Sequence, residues 1–183
     1  MRIILMGIQG SGKSTQGNFL SKELKVPYLS TGHIFRRIAQ EKTKWGRYVK
    51  ETMGAGLLIP DSKTIKIVEE YLKKPSYKKG YILDGFPRTL VQAKKFKEEI
   101  DGVVYLRVSD REALWRLSYR NDELRNDETV KAVRKRIEAY HKYTEPVLNY
   151  YRQKGILVEI DGEKPIEEVR HLVRAYLNKK RND

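Results

Sequence analysis

A glycine-rich stretch near the amino terminus has residue types and a spacing suited to holding phosphate groups. Residues 7–14 read GIQGSGKS and fit the pattern G-x-x-x-x-G-K-[ST]. The apolar run from Ile3 to Met6 precedes it, and apolar residues at helical spacing follow it, so we expect it to join a strand to a helix. In that setting, backbone N–H groups and the helix amino end attract phosphate, and Lys13 reaches the outer phosphates of a nucleoside triphosphate.

A second candidate site follows the apolar run from Tyr81 to Leu83, in the stretch GYILDGFPRT of residues 80–89. Asp84 stands at the carboxyl end of this predicted strand, where a carboxylate can organise Mg²⁺ directly or through water. Gly85 allows a ligand or backbone to approach closely, and Arg88 is directed toward the same crevice. From these residues alone, a capped turn with a surface arginine is the alternative interpretation.

The elements that must position these residues are predicted from alternating strand and helix patterns. Apolar runs predict strands at residues 3–6, 26–29, 81–83, 103–108 and 156–160. Apolar stripes at spacings of three and four predict helices that pack on the sheet: Ile65, Val68 and Leu72; Val130, Val133, Ile137 and Tyr140; Ile166, Val169, Val173 and Tyr176. Pro146 should kink or end the helix that begins near Asp127. The alternation predicts a three-layer α/β fold with ligands at the carboxyl ends of the strands.

Composition limits the classes of protein and of metal site. The 183 residues suit one globular domain, and no secretory signal or long apolar run is present, so we expect a soluble cytoplasmic protein. The absence of cysteine excludes disulfides and thiolate zinc sites. The net charge of +14 fits a nucleic-acid surface, a phosphorylated substrate or a lysine-rich exterior, and lysine doublets near glutamates favour the last. His141 and His171 are interpreted as surface residues.

Several motifs together resemble the nucleoside monophosphate kinases. GIQGSGKSTQ, STGHIFRR, GLLIPD, DGFPRT with Gln92, RLSYR, RNDE and RKRIEAY occur in that family's order and at nearly its spacing. From Met1 to about Leu177 the chain resembles a short-lid adenylate kinase. The resemblance implies one domain of residues 1–183 with the P-loop NTPase fold and a parallel five-stranded sheet. It also implies a helical insertion at residues 30–60 that binds the monophosphate, and a short lid at residues 120–125.

The resemblance further implies Mg²⁺-dependent, reversible, in-line phosphoryl transfer from ATP to AMP. ATP would be held by Gly10, Ser11, Gly12, Lys13, Ser14, Thr15, Arg116, Arg120 and Lys164. AMP would be held by Thr31, Gly32, Arg36, Ile59, Gly85, Arg88, Gln92, Arg125 and Arg136. Catalysis would rest on Lys13, Arg88, Arg120, Arg125 and Arg136, and Mg²⁺ on Ser14 and, through water, on Asp84. Asp127 and Glu128 match an acidic pair that orders the lid arginines.

The chain differs from the family's usual sequence at several positions, and other functions remain open. Gln9 stands where the family usually has proline, Ser14 replaces a glycine, and His33 replaces an acid and is expected to be exposed or capping. A UMP/CMP kinase remains open, although Thr31 favours AMP because pyrimidine kinases of this group usually have alanine there. A nucleic-acid-associated P-loop ATPase, or a loop that binds nucleotide only to stabilise the fold, also remains open. We expect a monomer without zinc, nucleic acid or a membrane partner.

Overall fold

The computed structural model describes residues 1–119 and 130–182 and contains a five-stranded parallel sheet. The strands are β1 (Arg2–Met6), β2 (Tyr28–Ser30), β3 (Tyr81–Asp84), β4 (Gly102–Arg107) and β5 (Leu157–Asp161). They lie in the order β2-β3-β1-β4-β5. The predicted strands are found with small shifts at their ends, and the predicted α/β fold is confirmed.

Helices connect successive strands and cover both faces of the sheet. They are α1 (Lys13–Leu24), α2 (Thr31–Ala39), α3 (Lys44–Gly54), α4 (Asp61–Leu72), α5 (Leu90–Lys95), α6 (Asp110–Ser118), α7 (Val130–Ala139), α8 (Glu145–Gln153) and α9 (Ile166–Asn182). Hydroxyl side chains at Ser30, Thr43, Thr89 and Ser109 accept hydrogen bonds from N–H groups in the first turns of α2, α3, α5 and α6. These caps satisfy backbone donors that the helices leave unpaired.

The sheet is buried on both faces because successive strand residues point to opposite sides. Ile3 and Leu5 of β1 belong to a buried cluster that includes α1 and α9 residues. Ile4 and Met6 belong to the opposite cluster, which includes residues of α4, α5 and α8. These two apolar layers hold the carboxyl edge of the sheet in place beneath the loops.

The long helical region around Pro146 is divided as the sequence predicts. Helix α7 ends at Ala139, a π-helical segment covers Tyr140–Thr144, and α8 begins at Glu145. Proline lacks an N–H group and its ring clashes with a carbonyl one helical turn earlier, so a widened turn before it relieves the conflict. The predicted start of this region near Asp127 lies outside the described residues.

One predicted core position in α9 is wrong. Ile166 is 57% exposed, whereas Val169, Val173 and Leu177 are buried against the sheet. Ile166 is the first residue of α9, so its side chain lies beyond the edge of the apolar layer. Tyr176 packs against the same cluster while only partly buried, as the stripe predicts.

His141 joins two helices through carboxylates. Its Nε2 atom lies 2.9 Å from Asp110 Oδ1 in α6, and its Nδ1 atom lies 2.6 Å from Glu145 Oε1 in α8. Partial burial lowers the pKa of His141, but the hydrogen bonds and charges of Glu145 and Asp110 outweigh it and hold this pKa above its usual value.

We therefore expect His141 to make stability depend on pH. Because its pKa is raised on folding, it stabilises the fold fully below the unfolded-state pKa of about 6.5, and this stabilisation is lost as pH rises through the folded-state pKa. Ion pairs of this exposure contribute about 1 kcal/mol or less, so the melting temperature should fall between about pH 5.5 and 8 by up to about 3 °C more than in His141→Gln.

Thermal unfolding followed by circular dichroism measures this difference. His171→Gln, at an exposed position of α9, is the matched control and should retain the pH dependence of the unsubstituted protein. Equal pH dependence in His141→Gln and the unsubstituted protein would contradict the expectation.

Candidate functional site

A cavity of about 450 Å³ lies at the carboxyl edge of the sheet. Asp84 at the end of β3 is paired in register with Leu5 of β1 on one side and Ser30 of β2 on the other. The loops that follow these three strands therefore meet at one place. Since β1 lies between β3 and β4, its loop opens at the point where the strand order reverses, which is where ligands bind in such sheets.

The glycine-rich loop follows β1 and forms one wall of this cavity. Gly10 (φ +90°) and Gly12 (φ +88°) adopt left-handed conformations that glycine tolerates best. A Cβ atom on Gly10 would lie 2.9 Å from the carbonyl oxygen of Ala113, so the loop is also pressed against α6. Lys13 Nζ donates hydrogen bonds to the carbonyl oxygens of Gly7 (2.8 Å) and Ile8 (2.7 Å), which holds its charge inside the loop.

Asp84 lies at the bottom of the cavity, between the loops that follow β1 and β2. Its Oδ2 atom accepts a hydrogen bond from the Tyr28 hydroxyl (2.6 Å), and its backbone carbonyl accepts one from Thr31 Oγ1 (3.3 Å). The carboxylate is nearly buried, so these contacts and the cavity set its orientation.

The fit of a metal ion depends on Ser14 and Asp84, which both line the cavity. Within the described parts of the chain, no group of three or more histidine, aspartate or glutamate side chains could hold a metal alone. One hydroxyl and one carboxylate suit Mg²⁺ that arrives with phosphate ligands and keeps several waters.

A hydrogen-bonded turn fixes the backbone around Arg88. Its N–H donates to Gln92 Oε1 (2.7 Å), and Gln92 Nε2 donates to Asp61 Oδ1 (2.8 Å). The Arg88 carbonyl accepts from Thr144 Oγ1 (3.0 Å), and its side-chain Nε donates to the Gly85 carbonyl (2.9 Å). Gln92 is 2% exposed, so the turn is anchored from beneath while the Arg88 side chain remains exposed at the cavity.

The loop between β5 and α9 closes the side of the cavity that also contains Arg116. Arg116 Nη1 donates to the Gly162 carbonyl (2.9 Å), and Gln16 Nε2 in α1 donates to the Ile166 carbonyl (3.0 Å). The Ser109 N–H donates to Glu163 Oε1 (2.8 Å), and this hydrogen bond holds the pKa of Glu163 below its usual value. The loop is thus attached to α6, and the first residue of α9 that follows it is attached to α1.

Lys164 in the same loop makes an ion pair with Glu168, and this contact raises the pKa of Lys164. The Lys164 side chain is therefore occupied at the surface of α9, while the residue still lines the cavity. This placement is compatible with ligand binding by the Lys164 backbone rather than by its side chain.

The segment of residues 30–60 forms the opposite wall. Its helices α2 and α3 share a small buried cluster formed by Phe35, Val49 and Ile59. A Cβ atom on Gly32 would lie 3.3 Å from Arg36 Nη1, so the guanidinium folds over this glycine. His33 is exposed, as the sequence predicts.

The structure brings all described candidate residues to this one cavity. They are Gly10, Ser11, Gly12, Lys13, Ser14, Thr15, Thr31, Gly32, Arg36, Ile59, Asp84, Gly85, Arg88, Gln92, Arg116, Arg136 and Lys164. Arg120, Arg125, Asp127, Glu128 and the predicted lid at 120–125 lie outside the described residues. Among the described residues, six lysine and arginine residues line the cavity against one carboxylate, Asp84, so this lining favours anions.

Sequence reasoning assigned no role to several other residues that build the site. Gln9, Gln16 and Tyr28 line the cavity, and Asp61 supports it from below. Gln16 could have been predicted, since it stands two residues after Ser14 and ends the stretch GIQGSGKSTQ that carries the resemblance. The contacts of Tyr28 and Asp61 join residues far apart in the chain, so no local sequence pattern predicts them.

Comparison with known proteins gives a consistent family match. A family model described as adenylate kinase matches residues 5–156. An adenylate kinase of Caldanaerobacter subterraneus subsp. tengcongensis is 37% identical, covering 100% of this chain and 99% of the relative. Adenylate kinases of Methanocella arvoryzae and Archaeoglobus fulgidus are each 36% identical, covering 98% of this chain and 99% of each relative.

Gly17 offers a test of how α1 supports the site. A Cβ atom there would lie 2.4 Å from the ring of Tyr28 and 3.0 Å from Leu5 Cδ1. Because the Tyr28 hydroxyl is bound to Asp84, the ring has little room to move. We expect Gly17→Ala to destabilise the fold by about 2 kcal/mol through overpacking.

Urea unfolding measures the change, with Asn18→Ala at the exposed neighbouring position as control. The control should stay within about 0.5 kcal/mol of the unsubstituted protein. A Gly17→Ala protein as stable as this control would show that the contact with Tyr28 relaxes freely.

Proposed function

The chain belongs to the adenylate kinase family, and we propose that it transfers the γ-phosphoryl group of Mg-ATP to AMP, reversibly forming two ADP. The supporting observation is that the glycine-rich loop and the GFPR turn after Asp84 open onto the same cationic cavity. Two nucleotides can meet there with their phosphates between the loop and the turn. Arg36 and Arg88 face the acceptor phosphate, while Lys13 faces the donor phosphates.

Positioning and charge neutralisation carry the proposed mechanism. The phosphate of AMP is a dianion above its second pKa of about 6, so it attacks without a general base. Lys13 exchanges its loop carbonyls for the outer phosphates of ATP, and Arg88 and Arg136 neutralise the acceptor and transferred groups. Ser14 would hold Mg²⁺ directly and Asp84 would hold it through water, and the bound ion would supply positive charge that neutralises the phosphates.

Hydrogen-bonding capacity near Thr31 supports AMP as the acceptor. Thr31 Oγ1 uses its hydrogen on the Asp84 carbonyl, so its oxygen faces a ligand as an acceptor. An adenine amine can donate to such an oxygen, whereas the uracil carbonyl at the corresponding edge would be repelled, so this contact favours AMP over UMP; cytosine also carries an amine, and the acceptor assay below distinguishes CMP. Gln92 Nε2 retains a second N–H beyond its bond to Asp61, which suits an adenine ring nitrogen.

Segment movement and a short lid complete the proposal. Residues 30–60 and the lid at 120–125 close over the nucleotides and exclude water as a competing acceptor. The alignment with the Caldanaerobacter relative spans 219 positions against 183 residues here, so that relative has segments that this chain lacks, and a short lid is consistent with this difference. No helix in the described ranges is long and apolar enough to cross a membrane. We also propose that the protein is a cytoplasmic monomer that acts on free nucleotides.

An acceptor panel tests this function. The purified protein is incubated with Mg-ATP and, separately, AMP, CMP, UMP, GMP or no acceptor, and products are resolved by chromatography. We expect ADP chiefly with AMP, and ATP plus AMP from ADP alone. Preference for CMP or UMP would reassign the acceptor, and hydrolysis without an acceptor would contradict the kinase function. Nucleic-acid-stimulated hydrolysis would indicate a different class of ATPase.

Neighbouring arginines provide a matched test of the acceptor site. Arg36 lines the cavity, whereas the adjacent Arg37 is exposed and donates to the Tyr71 hydroxyl. Arg36→Ala and Arg88→Ala should each lower kcat/KM for AMP by about 100-fold or more, as loss of a charge-stabilising donor does.

Steady-state kinetics on folded variants measure these losses, and Arg37→Ala should remain within about twofold of the unsubstituted protein. The Arg88 backbone keeps its bonds to Gln92 and Thr144 when the side chain is removed, so the fold should survive. Near-normal turnover by either cavity variant would remove that arginine from the proposed site.

A further inference from the structure

Gln9 stands in the middle of the glycine-rich loop, where the resemblance leads one to expect proline. A proline there would offer neither a side-chain acceptor nor an N–H group. Gln9 instead has a half-buried amide side chain that lines the cavity. The replacement therefore adds a polar group beside the loop that holds phosphates.

The side chain of Gln9 meets an arginine from a distant part of the chain. Arg136 Nη1 in α7 donates to Gln9 Oε1 (3.4 Å). The other terminal nitrogen, Nη2, donates to the backbone carbonyl of Met53 (2.8 Å) near the end of α3. The guanidinium thus connects the glycine-rich loop with the segment of residues 30–60.

A second contact sets the position of α7 against the same segment. Gly56 follows α3 with φ +74°, and a Cβ atom on it would lie 2.5 Å from the Ala132 carbonyl oxygen. Ala132 is one helical turn before Arg136, so both residues lie on the same face of α7. This backbone contact holds α7 at the distance from which Arg136 spans the two walls.

We propose that Gln9 is a positioning residue that acts through Arg136. Its amide oxygen holds the guanidinium between the donor loop and the acceptor-binding segment before phosphate arrives. This inference rests on the proposed kinase function, because the value of the arrangement depends on two phosphates meeting beside Arg136. It assigns a role to a residue at which this chain departs from its family.

The chemistry of the two acceptors explains why they can position Arg136 and still release it. Both are neutral oxygens, and an arginine bonds roughly twice as strongly to a charged phosphate as to a neutral acceptor. Phosphate can therefore replace these two acceptors without a large cost. Holding the side chain beforehand removes part of the rotamer entropy that binding would otherwise lose.

A double-mutant cycle tests the proposal. Gln9→Met keeps the length of the side chain and removes the amide acceptor. We expect it to lower kcat/KM for AMP at saturating Mg-ATP by about tenfold, because the Arg136 side chain must then lose its rotamer freedom when phosphate binds. On an Arg136→Ala background the same substitution should change kcat/KM by less than about twofold, because its partner is gone.

Equal losses on both backgrounds would overturn the proposal, since Gln9 would then act independently of Arg136. Where Arg136→Ala turns over too slowly, affinity for a bisubstrate analogue, two adenosines joined by five phosphates, gives the same cycle by calorimetry. Gln9→Ala repeats it with a smaller side chain, in case the methionine disturbs folding. Gln153→Met, at the exposed end of α8, is the matched control and should leave kcat/KM unchanged.

The unsubstituted protein separates the two hypotheses in the same assay. If it forms no ADP from ATP and AMP, the proposed function fails. If it turns over normally while the cycle is additive, only the role of Gln9 fails.

Discussion

The register of three parallel strands at Asp84 determines where the rest of the site can be. Asp84 lies beside Leu5 on one strand and Ser30 on the other, so the loops after all three strands begin at the same level. The glycine-rich loop, the cap of α2 and the turn to Arg88 therefore share one space. A shift of one residue in β3 would exchange the faces of its side chains and turn the Asp84 carboxylate away from Tyr28.

Cationic side chains are concentrated at this edge of the sheet, and backbone carbonyl oxygens orient them. Lys13, Arg88, Arg116 and Arg136 each donate to at least one main-chain carbonyl. These neutral partners orient the cations without cancelling their charge. A carboxylate holds a cationic side chain more strongly than a neutral oxygen does, and it competes with phosphate. Arg116 also pairs with such a group, Glu112.

The sequence was most informative where structure depends on neighbouring residues. The five strands and the glycine-rich loop follow from local periodicity, because buried parallel strands are continuous apolar runs bounded by turns. The exposure of Ile166 was not predicted, because a stripe of apolar residues along a helix does not show where the sheet beneath the helix ends. The supports at Tyr28 and Asp61 escaped it because each is defined by a partner at least 28 positions away. The roles of Arg120 and Arg125 remain predictions.

The two walls of the cavity are held by different kinds of contact, and this difference bears on how the site would close. The loop after β5 is attached to α6 by a hydrogen bond at Gly162, and the start of α9 is attached to α1 by one at Ile166. The segment of residues 30–60 instead has its own apolar cluster and meets α7 through Met53 and Gly56. A segment with its own core can rotate as a unit while keeping its internal packing, at the cost of a few boundary contacts. We therefore expect the donor side to be preformed and the acceptor side to supply the movement, with the contacts of Arg136 exchanged as the walls approach.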